Sequence, residues 1–180
     1  KIRTRRLVPE QMNILRKVIQ YCRDVVKSKK KLSHKVKPLR LIVSGGAGKQ
    51  FIFIIGLIGI LSNSIHLGVG KSAVIEVCSM HSENILREKG DKPHHPRVLL
   101  LAHTGKAASL IGKLIFHYLT TPTDIVIFSQ GGITIHGAFD FNFGHEVTSS
   151  SDKKLAELRE NLSELRLIII DEMSLVSADM

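Results

Sequence analysis

The sequence predicts an α/β fold, a parallel sheet with helices on both faces, and three observations carry that expectation. Compact apolar runs at residues 39–43, 98–102 and 167–170 have the length of buried strands, and longer segments of helical character separate them. The first run leads into the glycine-rich Ser44-Gly45-Gly46-Ala47-Gly48, and the last stops on Asp171-Glu172. Strands that alternate with helices pair in parallel, because each crossover returns the chain to the same end of the sheet.

Each element follows from local pattern. Residues 9–27 place Ile14, Leu15, Val18, Ile19, Cys22, Val25 and Val26 at three- and four-residue spacings among charged neighbours. This is an amphipathic helix with Pro9 near its start, where a missing N–H is tolerated. The lysine-rich stretch up to Pro38 is a linker, so residues 1–38 form an N-terminal helix and basic linker, and 39–180 hold the sheet domain. After Gly68-Val69-Gly70-Lys71-Ser72, residues 73–87 have helical character, and a polar loop with Gly90, Pro93 and Pro96 ends it. A short helix is expected over residues 105–111. Leu155, Leu158, Leu162 and Leu165 share one helix face, which predicts a helix over 152–165.

Composition narrows the function. With 180 residues and 43% hydrophobic content, the chain buries a real core, which excludes global disorder. Lys and Arg number 26 against 16 acidic residues, a net charge of +10. That surplus favours a polyanionic partner such as nucleic acid without by itself showing binding. Much of it lies in residues 1–6 and 27–31, which read equally well as solvated runs. Cys22 and Cys78 lack paired spacing and fit a reducing compartment. His94 and His95 have no partner cluster at metal-ligand spacing. The apolar run at residues 51–61 is too short for a membrane helix, which needs roughly 20 residues. The chain starts at Lys1 without a secretory signal and reads as a fragment.

The chemistry lies in a split phosphate loop. The pattern G-x-x-x-x-G-K-[ST] between strand and helix holds nucleotide phosphates, because successive backbone N–H groups form an anion nest at a helix N-terminus. Neither glycine cluster has that spacing alone: Gln50 follows Lys49 where a hydroxyl belongs, and Ile65 stands where Lys71 requires the first glycine. Without residues 49–68, the sequence becomes Gly45-Gly46-Ala47-Gly48-Val69-Gly70-Lys71-Ser72, and every position fits. A second stretch out of character with its neighbours lies at residues 113–131. Both stretches follow a glycine and open with lysine, and Gly-Lys is encodable as a splice-donor sequence. We therefore expect 49–68 and 113–131 to be non-native insertions, translated introns in origin, with genuine loop insertions as the alternative. A spliced transcript that retains these codons would sink the intron reading.

The run Leu167-Ile168-Ile169-Ile170-Asp171-Glu172 has the form of a strand that delivers two carboxylates to the sheet's C-terminal edge, where open α/β sheets bind ligands. In combination with the loop, Lys71 is expected at the outer phosphates, Ser72 and Asp171 at magnesium, and Glu172 beside the attacking water. A strand simply entering a polar turn is the structural alternative.

Together with Leu101-Ala102-His103-Thr104-Gly105-Lys106-Ala107-Ala108, Thr134-Ile135-His136-Gly137-Ala138-Phe139 and Ile170-Asp171-Glu172-Met173-Ser174, these motifs resemble the Pif-type DNA helicases, most of all the versions carried by Helitron transposons. The resemblance covers nearly the whole chain apart from the two inserted stretches. It implies the first of two RecA-like motor lobes, with ATP and magnesium as cofactors and single-stranded DNA as partner. It also implies five-prime to three-prime unwinding in genome maintenance, recombination, repair or transposition. By the same resemblance Gln11 matches the adenine-reading glutamine, and Thr104, Gly105, Lys106, Thr134, Ile135 and His136 match strand-contacting motifs. His103 departs from the family, which usually has proline there. The chain stops before the motifs of a second lobe, so unwinding by this polypeptide alone is not expected. A nuclear location, with mitochondria as a further site, follows from the resemblance and the basic runs. A non-catalytic nucleic-acid-binding remnant and an accessory P-loop ATPase are the alternatives.

Overall fold

The apolar runs assemble into one six-stranded sheet in a computed structural model that describes residues 7–30, 36–37, 39–45, 51–56, 62–67, 70–88, 90–91, 95–116, 133–139 and 152–172. In chain order the elements are α1 (Pro9–Lys30), β1 (Arg40–Gly45), β2 (Phe51–Gly56), β3 (Ser62–Leu67) and α2 (Lys71–Leu86). They continue with β4 (Val98–Ala102), α3 (Gly105–Phe116), β5 (Ile133–Thr134), α4 (Ile135–Phe139), α5 (Asp152–Asn161) and β6 (Leu167–Asp171). The strand order is β3-β1-β2-β6-β4-β5. Parallel pairing joins β1 to β3, β4 to β5 and β4 to β6, while β2 runs antiparallel to both β1 and β6. The parallel sheet thus carries one reversed strand, β2, which follows β1 after only five residues, too few for a parallel crossover.

Strand alternation builds two cores. Leu41, Val43, Ile54, Val98, Leu100, Ala102, Leu167 and Ile169 pack on one side with Ile14, Val18, Cys22 and Val25 of α1, Val74 and Cys78 of α2, and Ala108 and Ile111 of α3. Leu99, Leu101, Ile168 and Ile170 point to the other side and meet Ile135 of α4, Leu165, Phe139 and Leu162. Helices therefore cover both faces, as the alternation predicted, and the fold is the RecA-like P-loop lobe that the resemblance implies. Full burial of each Val, Ile or Leu stabilises by roughly 1.5–3 kcal/mol.

Helices α1 and α2 lie side by side and run in the same direction. Gln11 meets Gly70 near their N-termini, and Lys29 approaches Glu88 to 3.8 Å near their C-termini. The Tyr21 hydroxyl donates to the Arg166 carbonyl at 3.0 Å, which fastens α1 to the entry of β6.

Several boundaries differ from the sequence pattern. Helix α1 continues to Lys30, with Lys27, Lys29 and Lys30 in its last turn where cations complement the helix dipole. Helix α2 begins at Lys71, two residues before its apolar pattern, and α3 runs past Gly112 to Phe116. The helix over 152–165 is corrected: α5 stops at Asn161 and buries none of its residues, and Leu162 and Leu165 pack from the turn beyond it. Residues 51–56 and 62–67 of the stretch 49–68 are strands of the sheet. No helix among the described residues is long and apolar enough to cross a membrane.

Candidate nucleotide-binding site

Parallel pairing carries the ends of β1, β3, β4, β5 and β6 to one edge, where the motif residues gather. Gly45 pairs in register with Leu67, so the two halves of the glycine loop leave the sheet from neighbouring strands. Only β2 lies between β1 and β6, and the register sets Asp171 level with Val43, two residues before Gly45, so Gly45 and Asp171 end their strands at the same edge. Gly46, Ala47, Gly48 and Val69 lie outside the described residues.

Gly70 is the N-cap of α2. Its φ of 117° and ψ of 24° fall in the left-handed region, which side chains rarely adopt. The Gly70 carbonyl accepts the N–H groups of Ala73 at 3.1 Å and Val74 at 3.3 Å and so opens the helix. The first turn of α2 contains no acidic residue and no side-chain cap. Its positive dipole end is therefore not neutralised by a carboxylate of that turn. Gln11, 6% exposed, accepts from the Val8 N–H at 3.1 Å and donates through Nε2 to the Gly70 carbonyl at 3.4 Å.

Asp171 ends β6, and Glu172 follows it with φ 55°. Glu172 is the only described non-glycine residue with positive φ, a conformation that costs roughly 1–2 kcal/mol. Its N–H donates to Asp171 Oδ1 at 2.9 Å. Burial pushes the Asp171 carboxyl above the ordinary range, and the neighbouring Glu172 charge adds to that. The Glu172 N–H and the Lys71 ammonium act in the opposite direction. Lys71 begins α2 and Asp171 ends β6 at this edge, although 100 positions separate them in sequence. Ser72 is exposed in the first turn of α2.

The remaining motif residues form a second group at this edge. Thr104 caps α3: its Oγ1 accepts the Ala107 N–H at 3.2 Å, and its carbonyl accepts the Ala108 N–H at 2.9 Å. Thr134 repeats the arrangement on α4, with Gly137 N–H at 3.1 Å. The strands beneath are neighbours, with Ala102 opposite Thr134. Gly105 and Lys106 are exposed, whereas the Ile135 side chain is buried in the second core. The rings of His103 and His136 meet edge to face with centroids 6.0 Å apart. Pattern reading missed this pairing and the left-handed Glu172; nothing in the sequence signals either. Burial raises Cys22 to about 11 and Cys78 to about 12, so both cysteines stay neutral thiols in the core. No group of three or more metal-ligating side chains occurs among the described residues.

The AAA domain family matches residues 66–180, from the end of β3 through Asp171 and Glu172. Gln11 and Gly45–Gly48 lie upstream of the matched segment. No curated protein and no solved structure matches the chain. The family match takes in well over half of the 180 residues, and the chain therefore belongs to the AAA domain family, as a P-loop NTPase domain of the helicase type.

Proposed function

We propose that this domain is the first motor lobe of an ATP-dependent DNA helicase of the Pif type, with ATP-magnesium held between the start of α2 and the end of β6. The placement of Lys71 at the start of α2, which follows β3, and of Asp171 at the end of β6, with β3 and β6 ending at one edge of the sheet, carries this reading, because a triphosphate site needs a cation for the phosphates and a carboxylate for the metal at one edge. The donors suit magnesium, a hard cation that prefers a carboxylate and a hydroxyl and keeps several waters. Magnesium, when bound, supplies neutralising charge on the outer phosphate oxygens.

The chain's own groups divide the work. The N–H groups at the start of α2 and the Lys71 ammonium hold the phosphates, and Ser72 and Asp171 hold the metal. Glu172, lifted off the strand by its left-handed backbone, orients and polarises the attacking water. Thr104, Gly105 and Lys106, with Thr134, Ile135 and His136, contact single-stranded DNA along the same edge, mostly through backbone and phosphate. Roles in repair, recombination or transposition and a nuclear location extend this reading from the resemblance.

Equilibrium binding of ATP with magnesium tests the proposal on the 180-residue chain, on a version lacking 49–68 and 113–131, and on Lys71→Ala in that version. The shortened protein is expected to bind, and Lys71→Ala to abolish binding. The full chain is expected to bind weakly, because a phosphate nest needs consecutive N–H groups. Absence of binding in the shortened, folded protein overturns the nucleotide site, and equally tight binding by the full chain overturns the split loop.

A further inference from the structure

We infer that the exposed basic stripe of α1 is a docking surface for the phosphate backbone of duplex DNA, apart from the strand-contacting residues at the ends of β4 and β5. Asn13, Arg16, Gln20, Arg23, Lys27 and Lys30 are all exposed, and they recur at alternating three- and four-residue steps, which keeps them on one helix face. The opposite face, with Ile14, Leu15, Val18, Tyr21, Cys22 and Val25, is buried in the main core. The stripe is thus held outward on a fixed helix, and from Arg16 to Lys30 it spans about 21 Å at the helical rise. Among the described residues Arg16, Arg23, Lys27 and Lys30 form no ion pair, whereas Lys29 beside them approaches Glu88. The acid in the middle of the helix, Asp24, is partly buried and accepts from Gln20 Nε2 at 2.9 Å. Cations in the last turn complement the helix dipole, which accounts for Lys27 and Lys30 but not for Arg16 and Arg23. Like charges three and four positions apart repel, and a polyanion laid along the stripe relieves that repulsion.

The chemistry of this face selects a duplex. Sites for single strands add aromatic platforms on which bases stack, and the only aromatic of α1, Tyr21, is buried with its hydroxyl on the Arg166 carbonyl. A straight row of cations without a stacking group suits the straight rod of a duplex, which carries one phosphate charge per roughly 1.7 Å. An anionic membrane fits less well, because a helix lying in a lipid surface inserts its apolar face, and that face of α1 is committed to the core. Position separates the stripe from the other motifs. Helix α1 packs on α2 and touches β3 at one margin of the sheet, whereas Thr104 and Thr134 lie beside β4 and β5 at the other. The choice of DNA over RNA rests on the helicase reading above; the stripe itself does not depend on the nucleotide site.

Fluorescence anisotropy of a short labelled DNA duplex, titrated with the full chain at several salt concentrations, tests the stripe. Each phosphate contact contributes about 0.9 to the slope of log affinity against log salt. Arg23→Gln combined with Lys27→Gln is expected to reduce that slope by about 1.8 and to weaken binding at low salt. Arg16→Gln combined with Lys30→Gln, at the two ends of the stripe, should repeat the loss. All four side chains are exposed, so both variants should keep the fold, which circular dichroism checks. Lys153→Gln combined with Arg159→Gln removes the same charge from the exposed face of α5 and is expected to leave the slope unchanged. Equal losses in the stripe and α5 variants, no loss in either folded stripe variant, or no duplex binding by the parent at low salt overturns the inference. A single strand of the same length whose binding depends on the stripe as strongly as the duplex does also overturns it. A stripe-dependent slope with an RNA duplex and none with DNA overturns the choice of DNA and the helicase reading together, whereas failure of ATP binding leaves the duplex result standing.

Discussion

The two ends of the sheet treat charge in opposite ways. At the N-terminal edge, Arg97 is 2% exposed and fully engaged: it pairs with Asp91 at 2.6 Å, with the Glu164 carboxylate, and with the Glu164 carbonyl at 3.3 Å. Its own carbonyl accepts the N–H groups of Arg166 at 2.9 Å and Leu167 at 3.1 Å, so the loop before β4 is stapled to the entry of β6. Burial works against the Arg97 charge, but its two carboxylate partners outweigh that and raise its pKa. The hydrogen bond from Arg97 holds Glu164 below the usual carboxylate range. Asp91 is lowered as well, its modest burial outweighed by Arg97 and by the Glu88 N–H. At the C-terminal edge Asp171 is raised, Glu172 is strained, and the first turn of α2 contains no acidic residue. One edge spends its charges on itself. The other carries the proposed ligand site, at the edge where open α/β sheets bind ligands.

Breaking the staple should give the largest effect on stability. Arg97→Met strands two carboxylates, of which Glu164 is 39% exposed and can rehydrate, so the loss belongs at the low end for buried pairs, about 3 kcal/mol by urea denaturation at neutral pH. The folded-state values of Asp91 and Glu164 lie below the ordinary range for these carboxyls. Their contribution is therefore present above that range and lost as pH falls through the depressed values, so the difference between parent and variant should shrink in acid. A variant equally destabilised at every pH would show that Arg97 acts through packing alone.

At the other edge the comparison predicts gains. Glu172→Gly removes a left-handed non-glycine residue and should stabilise by about 1 kcal/mol while losing ATP turnover in any active form of the protein. A loss of stability would mean that Glu172 makes contacts that outweigh its strain. The smallest effect is expected for Asp171→Asn. The raised folded pKa means that ionised Asp171 opposes folding at neutral pH, and that this penalty disappears as pH falls through the raised value towards the ordinary one. The asparagine variant should thus match or slightly exceed the parent in thermal melts at pH 7, lose that advantage in acid, and fail to bind magnesium-nucleotide.

Much of the architecture was legible along the chain. The strand at Val98–Ala102 and the one ending at Asp171 follow directly from compact apolar runs, and the start of α1 follows Pro9. The leucine repeat after residue 152 misled because spacing reports a face and not its burial. Leu155 is 37% exposed on a helix with no buried residues, while Leu162 and Leu165 reach the core from a turn. The apolar stretch from Phe51 was set apart as foreign, yet high β propensity and an open position between β1 and β6 suffice for it to pair there. In the candidate site, the residue types and their order were readable, but the Gln11–Gly70 contact, the His103–His136 pair and the backbone of Glu172 were not.

By itself, the sequence determined what depends on neighbours within a few positions: which runs are apolar enough for strands, where Pro9 starts a helix, and which strand ends on two carboxylates. Tertiary structure alone decided what depends on which strand lies beside which. It put Gly45 beside Leu67, brought the ends of β3 and β6 to one edge of the sheet, and gave the Gln11 amide to Gly70. The physical reason is that pairing and packing are chosen by burial summed over the whole sheet, a quantity that no local window of the chain contains.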